Sequence, residues 1–316
     1  EEGKLKFDKG LTEVKKYDSK LVSQYLNKAG IKQKVNENTL FNLGASNQDG
    51  LLNNAGFLFF TKNPKQILIN AYITCARYKG IEKVNVIDRK DFEEDLVSQV
   101  EQAVEFVKRN TRLEYEIKGL YRKEIPEYPI EAVREAILNA VMHRDYFETG
   151  ANVQVDIFDN RLVVTNIGAL IKPITKESLG ELAIRRNPLI ADLFHRIHLV
   201  EKMGTGINRI REECKKHGNV DFEIETNGFF IAKFKLKKMI ANRDLEKWGE
   251  SVGKTVGKTV GKILALINEN PKITREELSA KTGLTIRGIE WNLAKLKEKK
   301  FLKRIGPAKG GCWKVN

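Results

Sequence analysis

Three short stretches of this chain hold residues that could handle phosphate. The first is "SVGKTVGKTVGKIL", residues 251–264, with two copies of Gly-Lys-Thr. The second is the pair Glu135 and Asn139, four residues apart and therefore on one face of any helix that carries them. The third is Gly204-Thr205-Gly206, just before "INRIREECKKHG". Gly-Lys-Thr ends a phosphate-binding loop only when four residues separate its glycine from an earlier one. Gly253 and Gly257 have three between them, and no strand-like apolar run leads in. Val252, Val256 and Val260 instead recur every four residues, the spacing of one helical face, while the glycines at the same period weaken a helix by up to about 1 kcal/mol each. Residues 238–261 therefore read as a linker that is helical only when packed. The other two stretches are weak alone: a Glu and an Asn one turn apart are common, and Gly-Thr-Gly is often a plain turn.

The elements that must position them follow from periodicity. "PIEAVREAILNAVMHRDY" is a long amphipathic helix with Pro129 at its start and Val133, Ile137, Ala140 and Val141 on the buried side. "NVQVDIFD" and "RLVVTN" are two strands joined at Asp159-Asn160. In the N-terminal stretch, "DSKLVSQYLNKAG" and "ENTLFNLG" read as helices, "AGFLFF" as a buried helix or strand, and "ILINAYITCARYKG" as a strand. "DFEEDLVSQVEQAVEFVKRNT" is a long helix and "RLEYEIKGLYRKE" one more strand.

With 316 residues, 41% of them apolar and 31% charged, the chain is long enough for about two domains of globular composition. No apolar run approaches the ~20 residues of a membrane span, and "EEGKLKFDKG" lacks a secretory core. Three scattered cysteines, Cys75, Cys214 and Cys312, point to a reducing, cytoplasmic setting. Cys214 follows the stripe of Ile207 and Ile210 and reads as core. His195 and His198 could share a face as metal ligands, but no Cys or Asp is placed to complete a site, so they read as surface or core. The net charge of +14 is uneven: from Lys237 onward 19 Lys and Arg stand against 8 Asp and Glu, which supplies +11 of it. Such a concentration points to a polyanion.

Residues 262–316 carry the pattern for it. "KILALINENP" is a helix stopped by Pro271. "TREELSAKTG" opens with Thr274 and Glu277 as a capping box and closes at Gly283. "TIRGIEWNLAKLKEKK" is a third helix capped by Thr285, with Ile289, Leu293 and Leu296 as its core stripe and Trp291 either core or exposed. "FLKRIGPAKGGCWKVN" reads as two strands about a turn. This order resembles the winged helix-turn-helix of many transcription regulators. The resemblance implies base-edge contacts from Thr285, Arg287, Trp291 or Asn292 to double-stranded DNA, and phosphate contacts from Lys295, Lys297, Lys303, Arg304 and Lys309. The alternative use of such a domain is protein contact or dimerisation.

The middle of the chain carries a second resemblance. "EAILNAVMHRDY", "NRLVVTNIGAL", "RRNPLIADLF" and "VEKMGTGINRI", with "NNAGFLFFTKNP" and "VKRNTRLEYEIKGLYRKEIPEYP", resemble the divergent ATPase module of transcriptional regulators labelled RecG-like C-terminal. That module is a relative of the Bergerat (GHKL) ATP fold of gyrase B and sensor kinases. The resemblance runs from about Phe7 to Leu236. It implies an α/β architecture, an α+β sandwich of the Bergerat type, followed by a small winged-helix domain. The implied division is 1–127 as an N-terminal α/β part packing on or belonging to the ATPase-like fold, 128–237 as the ATP-binding module, 238–261 as linker and 262–316 as winged helix. Family members often begin with a Schlafen AlbA-type domain, and this chain begins without Met, so it reads as a fragment.

By the same resemblance the cofactors are ATP and Mg²⁺. Asn139 would ligate Mg²⁺, and Glu135 would orient or deprotonate the attacking water. Asn166 would read the adenine amino group, and Gly168 would let the base lie against backbone. Gly204, Thr205 and Gly206 would cradle phosphates at a helix start, and Arg185 and Arg186 would sit in a lid. The chain departs from better-known members at Asn166, where they usually carry Asp. Two functions follow: a nucleotide-sensing, DNA-binding transcription regulator acting as a homodimer, or an ATPase that remodels DNA. A degenerate ATP fold acting as scaffold is a third.

Overall fold

The computed structural model describes residues 6–118, 121–176, 178–181, 184–200, 204–237, 254–298, 301–306 and 311–315. They divide into two compact units, 1–237 and 238–316.

The first unit is built on a six-stranded sheet. Its strands are β1 (Ile73–Lys79), β2 (Asn85–Phe92), β5 (Val153–Ile157), β6 (Arg161–Ile167), β7 (Val220–Thr226) and β8 (Phe229–Leu236), in the order β2-β1-β5-β6-β8-β7. β1 and β5 run parallel and the other neighbours antiparallel. Helices α4 (Leu96–Asn110) and α5 (Ile130–Met142) pack on these strands, and α7 (Gly206–His217) packs on α5 and β7. Val133, Ile137, Ala140 and Val141 of α5 are all buried, as the helical period requires. Helices α1 (Ser19–Lys28), α2 (Glu37–Asn42), α3 (Asn54–Phe60) and α6 (Pro188–Arg196) complete the unit.

Of the two readings open for the N-terminal stretch, packing on the ATPase-like fold or belonging to it, the second holds: it supplies β1 and β2 to the sheet that β5–β8 complete. Several expectations need correction. "RLEYEIKGLYRKE" is two strands, β3 (Leu113–Lys118) and β4 (Tyr121–Pro126), paired as a hairpin apart from the main sheet. Alternation continues through both halves and hides the reversal. β2 goes unread in the sequence because it is an edge strand exposed on both faces, with charges at Asp88, Arg89, Lys90 and Asp91. The strand expected over "ILINAYITCARYKG" begins only at Ile73. "AGFLFF" lies in helix α3, buried from Ala55 to Phe60 and so without a polar face to set a period.

The second unit comprises α8 (Lys254–Glu269), α9 (Arg275–Thr282), α10 (Ile286–Glu298) and the hairpin of β9 (Leu302–Ile305) and β10 (Cys312–Val315). The capping box of Thr274 and Glu277 is formed, Gly283 ends α9 at φ 76°, and Gly288 N donates to Thr285 Oγ1 at 3.2 Å. Ile289, Leu293 and Leu296 are buried against Ile263, Leu264 and Ile267. α8 starts eight residues before the expected first helix: Val260 is fully buried, and that burial outweighs the glycine penalty. The rest of the expected linker, 238–253, lies outside the described residues.

Candidate functional site

Helix α5 sets one wall of a cavity in the first unit. Glu135 is buried, 7% exposed, and Asn139 half-buried. The Asn139 amide donates from Nδ2 to Glu135 Oε1 at 3.4 Å, as side chains one turn apart can. Opposite them, α7 opens at Gly206. A Cβ at Gly206 would collide with Glu135 Oε1 and stand 3.1 Å from Asn139 Nδ2. Only glycine lets the start of α7 come this close. Gly204 holds φ 68°, which favours glycine. Glu135, Asn139, Gly204 and Gly206 line the cavity together; Thr205, the N-cap residue between the glycines, is not in its wall. The cavity is about 150 Å³, roughly ten times what one water needs, and so is ligand-sized.

The end of β6 gives the second wall. Asn166 is 2% exposed and its backbone is paired with Phe230 of β8. Its Oδ1 has no hydrogen-bond partner, and no hydrogen bond of its Nδ2 is seen among the described residues. A buried amide left this way costs free energy unless a ligand completes it. Gly168 follows at φ 127°, where a Cβ would stand 3.3 Å from Asp145 Cβ and 3.5 Å from Arg186 Cζ. Apolar side chains from Met142, Leu170, Ile171, Leu179, Ile207 and Phe230 fill out the lining.

Arg185, Arg186 and His143 add charge control. Both arginines line the cavity. Arg186 is held: Nη1 pairs with Asp145 Oδ2 at 2.8 Å and Nη2 donates to Ala169 O at 2.5 Å. His143 also lines the cavity, and burial, then the charges of Arg186 and Arg185, push its pKa down to about 4. It is neutral at pH 7. Sequence reasoning gave no role to His143, Arg144 or Asp145. Arg144 is buried, and its guanidinium donates to the carbonyls of Asn70 and Ala151, which ties three segments together. His195 lines the cavity with Nδ1 on Val200 O at 2.9 Å, and His198 is exposed at φ 60°.

Two supports escape sequence reasoning altogether. Asn187 Nδ2 donates to Met142 O and Arg144 O, both at 2.9 Å, and closes the C-terminal end of α5. Asp8, fully buried, accepts from Leu189 N at 2.5 Å and Ile190 N at 3.3 Å in the first turn of α6. Burial pushes the Asp8 carboxyl up, and its two backbone donors act against that shift. Cys214 is buried with its thiol pushed up to about 12, which makes it a poor nucleophile. Among the described residues no group of three His, Cys, Asp or Glu could hold a metal alone, and no helix is long and apolar enough to cross a membrane.

The second unit offers a surface. Thr285, Arg287 and Trp291 are exposed on α10, as is Lys297. Trp291, 49% exposed, is therefore not core. Asn292 is 6% exposed and donates from Nδ2 to Gly288 O at 2.7 Å, so it turns inward and not towards a base edge. Lys295 is half-buried and paired with Glu298 at 3.1 Å. Arg304 and Lys297 lie on the ring of Trp313, 4.5 and 5.2 Å from its centroid, which orders both cations. Lys303 is exposed on β9, and Lys309 lies outside the described residues.

Residues 150–234 match the family model described as "Putative ATP-dependent DNA helicase recG C-terminal", and residues 258–303 match "Winged helix-turn-helix DNA-binding". The chain carries a RecG-C-terminal-type, ATPase-like domain and a DNA-binding winged helix-turn-helix. The ATPase-like match contains Asn166, Gly168, Arg185, Arg186 and Gly204 to Gly206 and begins after α5, so Glu135 and Asn139 join the site through geometry. Among solved structures the chain is similar to the DIP2311 protein from Corynebacterium diphtheriae, at 21% identity and a TM-score of 0.62, over 99% of this chain and 65% of that one. At that identity the likeness shows the fold alone, and this chain spans just under two thirds of the other's length. No curated protein matches.

Proposed function

We propose that the ATPase-like unit binds ATP with Mg²⁺, and that the chain is a cytoplasmic transcription regulator whose winged helices bind double-stranded DNA as a homodimer in a nucleotide-dependent way. The observation that carries this reading is the buried, unpartnered amide of Asn166. It stands in the wall of a cavity that Glu135, Asn139 and the glycine turn also line. Those residues suit the ligand. Asn166 meets the base edge and Gly168 leaves room beside it. Gly204, Thr205 and Gly206 present backbone at a helix start, where an anion is favoured. Arg185 reaches a phosphate, while Arg186 keeps Asp145 and the 169 carbonyl in place. Asn139 offers an amide oxygen to a hard cation. When bound, Mg–ATP supplies an anhydride open to attack by water.

Hydrolysis is a second reading, favoured by Glu135, a buried carboxylate in the same wall and placed to accept a proton from water. On the DNA side, Arg287 and Trp291 approach base edges, and Lys297, Lys303 and Arg304 meet phosphates.

The test is thermal melting of the full chain with and without Mg–ATP, with phosphate release followed in parallel. A higher Tm without phosphate release supports the sensor, and release abolished by Glu135→Gln supports the ATPase. No shift at millimolar ATP overturns nucleotide binding. Light scattering of the chain with and without a duplex checks the dimer.

A further inference from the structure

A carboxylate in the place of Asn166 could only accept hydrogen bonds. The amide can do both, since one end accepts and the other donates. In this chain no hydrogen bond commits either end of the amide: Oδ1 is buried without a partner and no hydrogen bond of Nδ2 is seen among the described residues. The backbone of Asn166 is held in register with Phe230, so the side chain can turn without moving the strand. Met142, Ile171 and Phe230 line the same cavity with apolar side chains, and its polar side chains include Glu135, Asn139 and His143.

The six-membered edge of a purine comes in two patterns. A 6-amino purine donates from its exocyclic nitrogen and accepts at N1. A 6-oxo purine accepts at its exocyclic oxygen and donates from N1. A primary amide matches either by rotating half a turn, with two hydrogen bonds in each case. A fixed carboxylate can only accept, so on either edge it matches one group, the 6-amino group or the N1–H of a 6-oxo purine, and opposes the other. Resting on the nucleotide reading above, we infer that the cavity accepts 6-oxo purine nucleotides about as well as 6-amino ones, and that Asn166 is the residue that sets this tolerance.

Titration calorimetry of the full chain with ATP and with ITP, both with Mg²⁺ at pH 8, tests it. The two ligands are nearly the same size and differ at the 6-position. The native chain is expected to hold them within about tenfold of each other. Asn166→Asp is expected to weaken both nucleotides by about 10- to 100-fold, because one contact is left opposed on either edge. Asn166→Ala is expected to weaken both and keep the ratio near one, which covers the case in which the Asp variant fails to fold. Rejection of ITP by 100-fold in the native chain overturns the inference. So do unchanged affinities for both nucleotides in Asn166→Ala. If neither nucleotide binds the native chain, the nucleotide reading itself falls.

Discussion

The cavity of the first unit keeps its polar groups inside and incompletely satisfied, whereas α10 of the second holds its charges in solvent. Asn166 and Asn292 make the contrast concrete. Both are buried and both have an Oδ1 without a partner. Asn292 commits its donor to Gly288 O inside its own helix, and it stands outside the ligand-sized cavity. Asn166 has no hydrogen bond seen at either end among the described residues, and it lines a cavity that would hold several waters. The same residue type is thus a local packing group in one unit and a cavity-lining group in the other. Burial and a missing hydrogen bond alone do not separate the two roles; the adjoining cavity does.

Two predictions break the comparison if they fail in the first unit. The largest effect is expected from Gly206→Val, whose Cβ displaces the Glu135 carboxylate and crowds the Asn139 amide in the cavity wall. ATP affinity should fall about a thousandfold, roughly 4 kcal/mol, while duplex binding measured without nucleotide at fixed salt stays as it was. Calorimetry and a DNA mobility shift on the same preparation check both halves, and retained ATP affinity would mean that the cavity is not the site. The next is a pH effect. His143 titrates near 4 when folded against an ordinary 6.5, so the unfolded chain takes up its proton first as pH falls. Stability from this group is complete above pH 6.5 and is lost as pH drops towards 4, by at most about 3 kcal/mol. The charges of Arg185 and Arg186 act on the same ring. His143→Gln should flatten the acid side of a denaturant-midpoint profile, and an unchanged profile would remove the histidine from the account.

The two units also differ in how much of them the sequence discloses. In the winged helix each decision is local. Thr274 caps three residues ahead, Gly283 stops its helix, and Ile289, Leu293 and Leu296 repeat at the helical period. In the ATPase-like unit the period of α5 is legible, and so is the shared face of Glu135 and Asn139. That Asn166 and Gly206 meet this face follows only from a family resemblance, because nothing local ties β6 and α7 to α5. The supports are further out of reach. Asp8 bonds to Leu189 across 181 positions, and Arg186 pairs with Asp145 across 41. Neither pair has a spacing that a helix or strand would produce. β2 is hidden for a different reason: an edge strand with both faces in water has no apolar alternation to read.

A third prediction sharpens the contrast on the DNA side. Arg287 and Lys303 are both exposed, one on α10 and one on β9. Replacing either with Glu should weaken duplex binding about tenfold and lower the salt slope by about one for each phosphate no longer neutralised. ATP affinity should not move. If Arg287→Glu changes sequence preference while Lys303→Glu weakens all duplexes alike, the helix reads bases and the hairpin holds backbone. Equal losses on every duplex from both variants would assign α10 to phosphate as well.

The smallest effect is expected at Asn292, and it decides whether the two buried amides really differ. Asn292→Leu removes a donor that bonds to Gly288 O and an acceptor that bonds to nothing. The lost hydrogen bond costs about 1 kcal/mol, and removing a buried, unsatisfied oxygen offsets a similar amount. Gly288 O keeps a neighbour in its own helix. The melting temperature of the winged-helix transition should therefore shift by no more than a few degrees in either direction, with duplex affinity and sequence preference unchanged. A change in base preference from Asn292→Leu, without a change in stability, would mean that the side chain turns outward on DNA and belongs with Arg287 and Trp291 after all.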